Sequence, residues 1–143
     1  MIILDTNVIS EGFRVHPSSE VRVWLDAQRP GDLFLCAPVL AELRYGAERL
    51  PAGRRKTELD QFVSNAEREL FTDRLLLVDR ESAYEFGRLV AKRATLGRPI
   101  LPMDGLIAAI AIANDMAIAT RDIEDFTDLG ISLVNPFEAA VDR

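Results

Sequence analysis

Residues 1–10 read MIILDTNVIS, and the rest of the chain is best read outward from them. Ile2, Ile3 and Leu4 form a short apolar run without helical period, which suits a fully buried strand of a parallel sheet. The run ends at Asp5, followed by Thr6 and Asn7. Open α/β sheets bind ligands beyond the carboxyl ends of their strands. Asp5 is therefore a carboxylate delivered to the edge where such folds do chemistry. The competing reading is local: Asp, Thr and Asn are good N-cap residues, and Asp5 can cap a helix starting near Val8.

Downstream, apolar runs alternate with helical stripes. Ser19 is a candidate cap for a helix over Glu20–Gln28, with Val21, Trp24 and Leu25 on one face. Arg29–Asp32 reads as a turn, and Leu33–Ala37 as a second buried strand. Pro38 suits the first turn of a helix carrying Val39, Leu40, Leu43, Ala47 and Leu50, which ends at Pro51–Gly53. Leu59, Phe62, Val63, Ala66 and Leu70 mark a further amphipathic helix. The faces around 21–25 and 59–70 are read first as core and second as contact surfaces. Leu75–Val78 is a third strand, followed by a helix starting near Asp79 with Ala83, Phe86, Gly87, Val90, Ala91 and Ala94 on one face. Met103–Asp115 is apolar nearly all round and should be the most buried helix. Met116–Thr120 and Ile131–Val134 complete five strands, and Pro136–Val141 reads as a terminal helix. Strands alternating with helices predict an α/β fold: a mainly parallel five-stranded sheet flanked by helices on both faces.

At 143 residues, without a repeat or linker, residues 1–143 read as one domain. The longest apolar run, Leu106–Ala113, is too short to span a membrane, and Asp5 interrupts any signal-like start, so the expectation is a cytoplasmic protein. The single cysteine, Cys36, excludes an internal disulfide and a cysteine zinc cluster, and its apolar setting predicts a small buried side chain. His16 stands alone before Pro17, in a surface loop. A net charge of −6 argues against a mainly electrostatic grip on nucleic acid. It leaves room for a nuclease whose acids are clustered and screened by metal ions.

Four acids stand out by position: Asp5 after strand one, Glu42 one turn into the helix after strand two, Asp104 at the start of the apolar helix, and Asp122 after strand four. In a doubly wound sheet these places share one edge. Carboxylates brought together resist joint ionisation unless a cation neutralises them. Hard oxygen ligands select Mg²⁺ or Mn²⁺, and such ions bind phosphodiesters and activate water. Each acid also has a plainer role. Glu42 can pair with Arg44 or Arg49, Asp104 can match the helix macrodipole, and Asp122 can cap the turn at Ile123–Phe126. Asp125 competes with Asp122 and reads as a surface or supporting residue. Asn7 and Thr120 are candidates to orient the acids by hydrogen bonds, or to cap turns locally.

The segments Leu4–Ser10, Ala41–Gly46, Asp104–Ala109 and Ala119–Asp122, with the closing Asn135-Pro136-Phe137, resemble the motifs of PIN-domain ribonucleases of the VapC toxin type, FitB-like members in particular. The resemblance implies a PIN-like three-layer sandwich with Asp5, Glu42, Asp104 and Asp122 at the family's acidic positions and Asn7 and Thr120 at its supporting ones. It implies Mg²⁺- or Mn²⁺-dependent cleavage of single-stranded RNA, tRNA or mRNA, as the toxin of a toxin–antitoxin pair. It further implies a homodimer and inhibition by a cognate small DNA-binding antitoxin. On that reading Arg121 and Arg44 head the candidate RNA contacts, with Arg49, the basic run 54–56, Lys92, Arg93 and Arg98 behind them. Two rivals remain. One is a non-catalytic PIN-like interaction module. The other is a Mg²⁺-dependent phosphohydrolase with Asp5 as nucleophile, although Asn7 stands where that chemistry wants a second Asp.

Overall fold

β1 (Ile2–Leu4) is the central strand of a five-stranded sheet with the order β3-β2-β1-β4-β5. The computed structural model describes residues 1–138. β2 (Leu33–Cys36), β3 (Leu75–Leu76), β4 (Ala117–Ala119) and β5 (Leu133–Val134) all pair in parallel. β1 bonds to β2 on one side and β4 on the other, with Ile3 opposite Phe34 and Ile118. Flanked on both sides and buried on both faces, it tolerates only apolar residues, and Ile3 is wholly inaccessible to solvent.

Six helices connect the strands: α1 (Thr6–Ser10), α2 (Ser19–Asp26), α3 (Ala37–Glu48), α4 (Arg54–Asn65), α5 (Arg80–Thr95) and α6 (Pro102–Ala113). The chain steps from β1 to β2 to β3 in one direction. α5 and α6 then carry it back past β1 to β4. Right-handed crossovers place helices on opposite faces before and after this reversal. The reversal lies at β1, so the crevice at the carboxyl ends of β1 and β4 is the fold's natural ligand position.

α6 is the most buried helix, as its composition predicts: Gly105 and Ile107 through Ala111 are all buried. It packs chiefly on α5, where Gly105 allows close approach. A Cβ there would stand 3.0 Å from Phe86 and 3.3 Å from Val90. Val21 and Val63 are core residues, and Trp24, Leu25, Leu59 and Phe62 pack against the core, so both helical faces at 21–25 and 59–70 are largely used internally.

Several boundaries differ from the sequence reading. Ser18, not Ser19, caps α2: its hydroxyl accepts from the Val21 N–H, while the Ser19 hydroxyl donates to Glu20. α4 begins at Arg54, five residues before its first apolar stripe residue, because its exposed first turn is made of helix-forming charged residues. It then widens into a π-turn over Ala66–Leu70, where the Phe71 N–H reaches the Ala66 carbonyl. The strands are shorter than their apolar runs, since pairing ends where the neighbouring strand ends. Pro136 and Phe137 form a turn, and the rest of the expected terminal helix lies outside the described residues. Among the described residues no helix is long and apolar enough to cross a membrane.

Candidate active site

Asp5 leaves β1 with its N–H still bonded to the Ala119 carbonyl, so its backbone is fixed by the sheet. Its side chain is buried. One carboxylate oxygen accepts from the Thr6 N–H at 2.8 Å, and the other from the Thr120 hydroxyl at 2.7 Å. The first contact is a helix cap and the second a tertiary contact. Asp5 thus caps α1 while its second oxygen is held at the end of β4.

Thr120 is the junction of the site. Wholly buried at the end of β4, it donates to Asp5 and accepts the Asp122 N–H at 3.0 Å. Asn7, on α1, reaches across to donate to Asp122 Oδ2 at 3.0 Å and to the Thr120 hydroxyl at 3.4 Å, while its carbonyl accepts the Arg121 N–H. The amide thus ties the first strand's exit to the fourth's. Asp122 makes no cap of its own on the turn Ile123–Phe126. Glu42, on α3, pairs with neither Arg44 nor Arg49; its Oε1 accepts from the Thr6 hydroxyl at 2.9 Å.

Asp104, in the first turn of α6, completes the group. Burial, then the charges of Asp5, Asp125, Glu42 and Asp122, push its carboxyl up to about 6. Burial is also the main reason that Asp5 and Glu42 lie above the ordinary carboxylate range, with like charges adding to it. Asp5, Glu42 and Asp122 all bear on Asp104, so the four acids lie within electrostatic reach of one another. Asp125 belongs to the same neighbourhood, bearing on both Asp5 and Asp104, which fits the supporting one of its two expected roles better than the surface one. The signal was its spacing, three residues beyond Asp122 on one short turn. Cys36, ending β2 beneath Asp5 and Glu42, is buried, and its thiol is raised to about 12 chiefly by burial.

The basic residues divide. Arg121 adjoins the acids; its guanidinium lies 3.5 Å from Glu11 and stacks on Phe137. The structure does not bring Arg44 to them. Two positions on from Glu42, it faces the other side of α3 and donates to Ser64 and Glu67. Arg93 is buried, donating to the carbonyls of Arg98, Asp125 and Thr127, and so is not free for a phosphate. It joins the segment leading into α6 to the turn carrying Asp122 and Asp125.

Comparison with known proteins identifies the family. The PIN domain profile matches residues 2–131. The chain belongs to the PIN-domain family. It is 39% identical over 140 residues to a VapC ribonuclease, Y4jK, of Sinorhizobium fredii, covering 98% of this chain and all of that one. It is 36% identical to the toxin FitB of Neisseria gonorrhoeae over 96% of this chain and 99% of the relative. The solved structure of FitAB bound to a DNA fragment superposes over both whole chains with a TM-score of 0.92 at 35% identity. The five-stranded parallel sheet is thus the PIN fold, and PIN-domain nucleases are in general divalent-metal dependent.

The side chains of this PIN domain suit a hard cation in chemistry. All four acids present oxygen donors, and among the described residues none of the four is ion-paired to a Lys, Arg or His. Among the same residues, no three acids converge as a closed ligand set. Asp5 and Glu42 spend oxygens on Thr120, Thr6 and the Thr6 backbone instead.

Proposed function

We propose that this chain is a Mg²⁺- or Mn²⁺-dependent endoribonuclease, a hydrolase of single-stranded RNA, acting as the toxin of a toxin–antitoxin pair. The observation that carries the chemistry is the gathering of four uncompensated carboxylates from four separate segments at the β1–β4 crevice. Such a group is costly to hold ionised without a cation. Kinship with a VapC ribonuclease and with the toxin FitB supports RNA as the substrate and the toxin role.

Asp5, Asp104 and Asp122 would hold the metal, which when bound polarises the scissile phosphodiester and lowers the pKa of water. Thr120 and Asn7 keep Asp5 and Asp122 turned inward by the hydrogen bonds above. Glu42, half-buried and supported by Thr6, would either join these ligands or orient the attacking water and take its proton. On this reading the chain is one nuclease domain, cytoplasmic, a homodimer, and partnered by a small DNA-binding antitoxin. The FitAB complex on DNA supports that partner.

A phosphohydrolase reading finds no support. Asn7 occupies the second Asp position and serves as a hydrogen-bond donor, and Lys56 is engaged with the Ala47 carbonyl and Glu48 at the end of α3. The test is cleavage of single-stranded RNA by purified, partner-free protein. Cleavage should require Mg²⁺ or Mn²⁺, stop with EDTA, and be lost in Asp5→Asn and Asp104→Asn. Cleavage that persists with chelator, or in Asp5→Asn, overturns the proposal. Absence of any Mn²⁺ binding in a divalent-metal titration would favour the interaction module.

A further inference from the structure

Glu11 is an acid the mechanism does not use. It follows α1 in a single 3₁₀ turn, its side chain only 4% exposed. One carboxylate oxygen faces two guanidiniums, Arg14 at 3.2 Å and Arg121 at 3.5 Å; the other, Oε2, has no hydrogen-bond partner among the described residues. A buried carboxylate left half-satisfied is a poor stabilising device. It does, however, fix cations at its mouth.

Arg121 is held there from three sides. Its N–H is taken by Asn7, its guanidinium approaches Glu11, and the Phe137 ring lies beneath the guanidinium at 3.8 Å from the ring centroid. Such a stack fixes the plane of an arginine while leaving its N–H edge open. Half of the Arg121 side chain remains exposed. Two guanidiniums against one carboxylate leave the group positively charged. It adjoins Asp122 directly in sequence, on a chain whose net charge is −6. A polyanion approaching four carboxylates needs a fixed cation beside them.

We infer that Arg121, seated on Phe137 and Glu11 with Arg14 behind it, is a phosphate-binding subsite that takes a backbone phosphate of the RNA strand next to the one cleaved. This gives the closing Asn-Pro-Phe turn its function: the Asn135 side chain accepts the Phe137 N–H and sets the ring under Arg121. The inference rests on the ribonuclease reading for its substrate, and the test separates the two.

The test uses the full chain in an Asp5→Asn background with EDTA, and a fluorescein-labelled single-stranded RNA read by anisotropy. Arg121→Ala should weaken RNA binding about tenfold and reduce the salt slope of log K by about 0.7. Phe137→Leu should weaken binding several-fold with Arg121 present and have no further effect in Arg121→Ala, where no cation is left over the ring. In the Asp5-containing protein, Arg121→Ala should raise KM more than it lowers kcat, with Mn²⁺ affinity unchanged by electron paramagnetic resonance. Thermal midpoints verify folding, and Arg121→Gln serves if the alanine variant is unstable. Unchanged RNA affinity in Arg121→Ala overturns the subsite, whatever the nuclease does. So does Mn²⁺ affinity falling in step with RNA affinity, or loss of binding to polyglutamate but not to RNA. Weakened RNA binding in a protein that cleaves nothing supports the subsite and sinks the nuclease reading.

Discussion

Replacing Asp104 by Asn should stabilise the metal-free protein, by an amount that depends on pH. Burial and the neighbouring charges of Asp5, Asp125, Glu42 and Asp122 raise its carboxyl from 3.8 to about 6. A carboxyl raised in the fold binds its proton more tightly there than in the unfolded chain. Below about pH 4 both states are protonated and the difference vanishes; above about pH 6 the fold carries a charge it disfavours, and the cost is fully present. Stability is therefore lost as pH rises through this window. At about 1.36 kcal/mol per pH unit, the whole displacement corresponds to about 3 kcal/mol. Asp104 is only half-buried, and solvent screening reduces this to about 1 kcal/mol. Urea denaturation in EDTA should show Asp104→Asn more stable by that amount at about pH 8 and equal to the parent at about pH 4. Saturating Mg²⁺ should reverse the order, because only the parent keeps the full ligand set. An Asn variant that is less stable at about pH 8 in EDTA, or a difference independent of pH, would refute the claim that burial and the neighbouring acids disfavour the Asp104 charge.

Thr120→Val keeps the shape but removes the donor to Asp5 and the acceptor for the Asp122 N–H. RNA cleavage should fall about ten- to hundredfold, with Thr120→Ser recovering most of it, and equal activity of the Val and Ser variants would contradict this. Arg93→Met leaves three backbone carbonyls without their donor and should cost at least about 3 kcal/mol in urea titration. Arg93→Lys should not recover it, since one ammonium cannot span the three. Gly105→Ala drives a methyl to 3.0 Å from Phe86. The overpacking should outweigh the gain in helix propensity, for a net loss of about 1 kcal/mol by thermal denaturation.

Much of the fold was legible because its elements are locally consistent. β1 and α6 are continuous apolar runs that no other element type explains, and Pro38 and Asp79 mark helix starts through local chemistry. Strand order was not legible, since nothing local in Ile2–Leu4 says that β4 rather than β3 is its second neighbour. The four acids were legible as positions after strands and at helix starts. Their supports were half legible: Asn7 and Thr120 lie beside acids in sequence, whereas Thr6, which holds Glu42, reads as just another capping residue. Glu11 gave no signal, because its partner Arg121 is more than a hundred residues away, and Phe137 showed only as part of the closing Asn-Pro-Phe motif, with nothing to tie it to Arg121. Arg44 misled for the opposite reason. Its proximity to Glu42 in sequence conceals that successive helix positions point to different sides.

The pairing of β1 with β4 has a consequence in time as well as space. Asp5 emerges first in synthesis, yet its hydroxyl partner Thr120 follows 115 residues later. β1 can pair with β2 early, but its other edge stays open until the α5–α6 crossover is complete. Long-range parallel pairing of this kind is slow to form. No nascent chain ending before residue 122 holds the assembled cluster, so an enzyme that attacks RNA has no complete cutting edge until the α5–α6 crossover and the strand after it have been made.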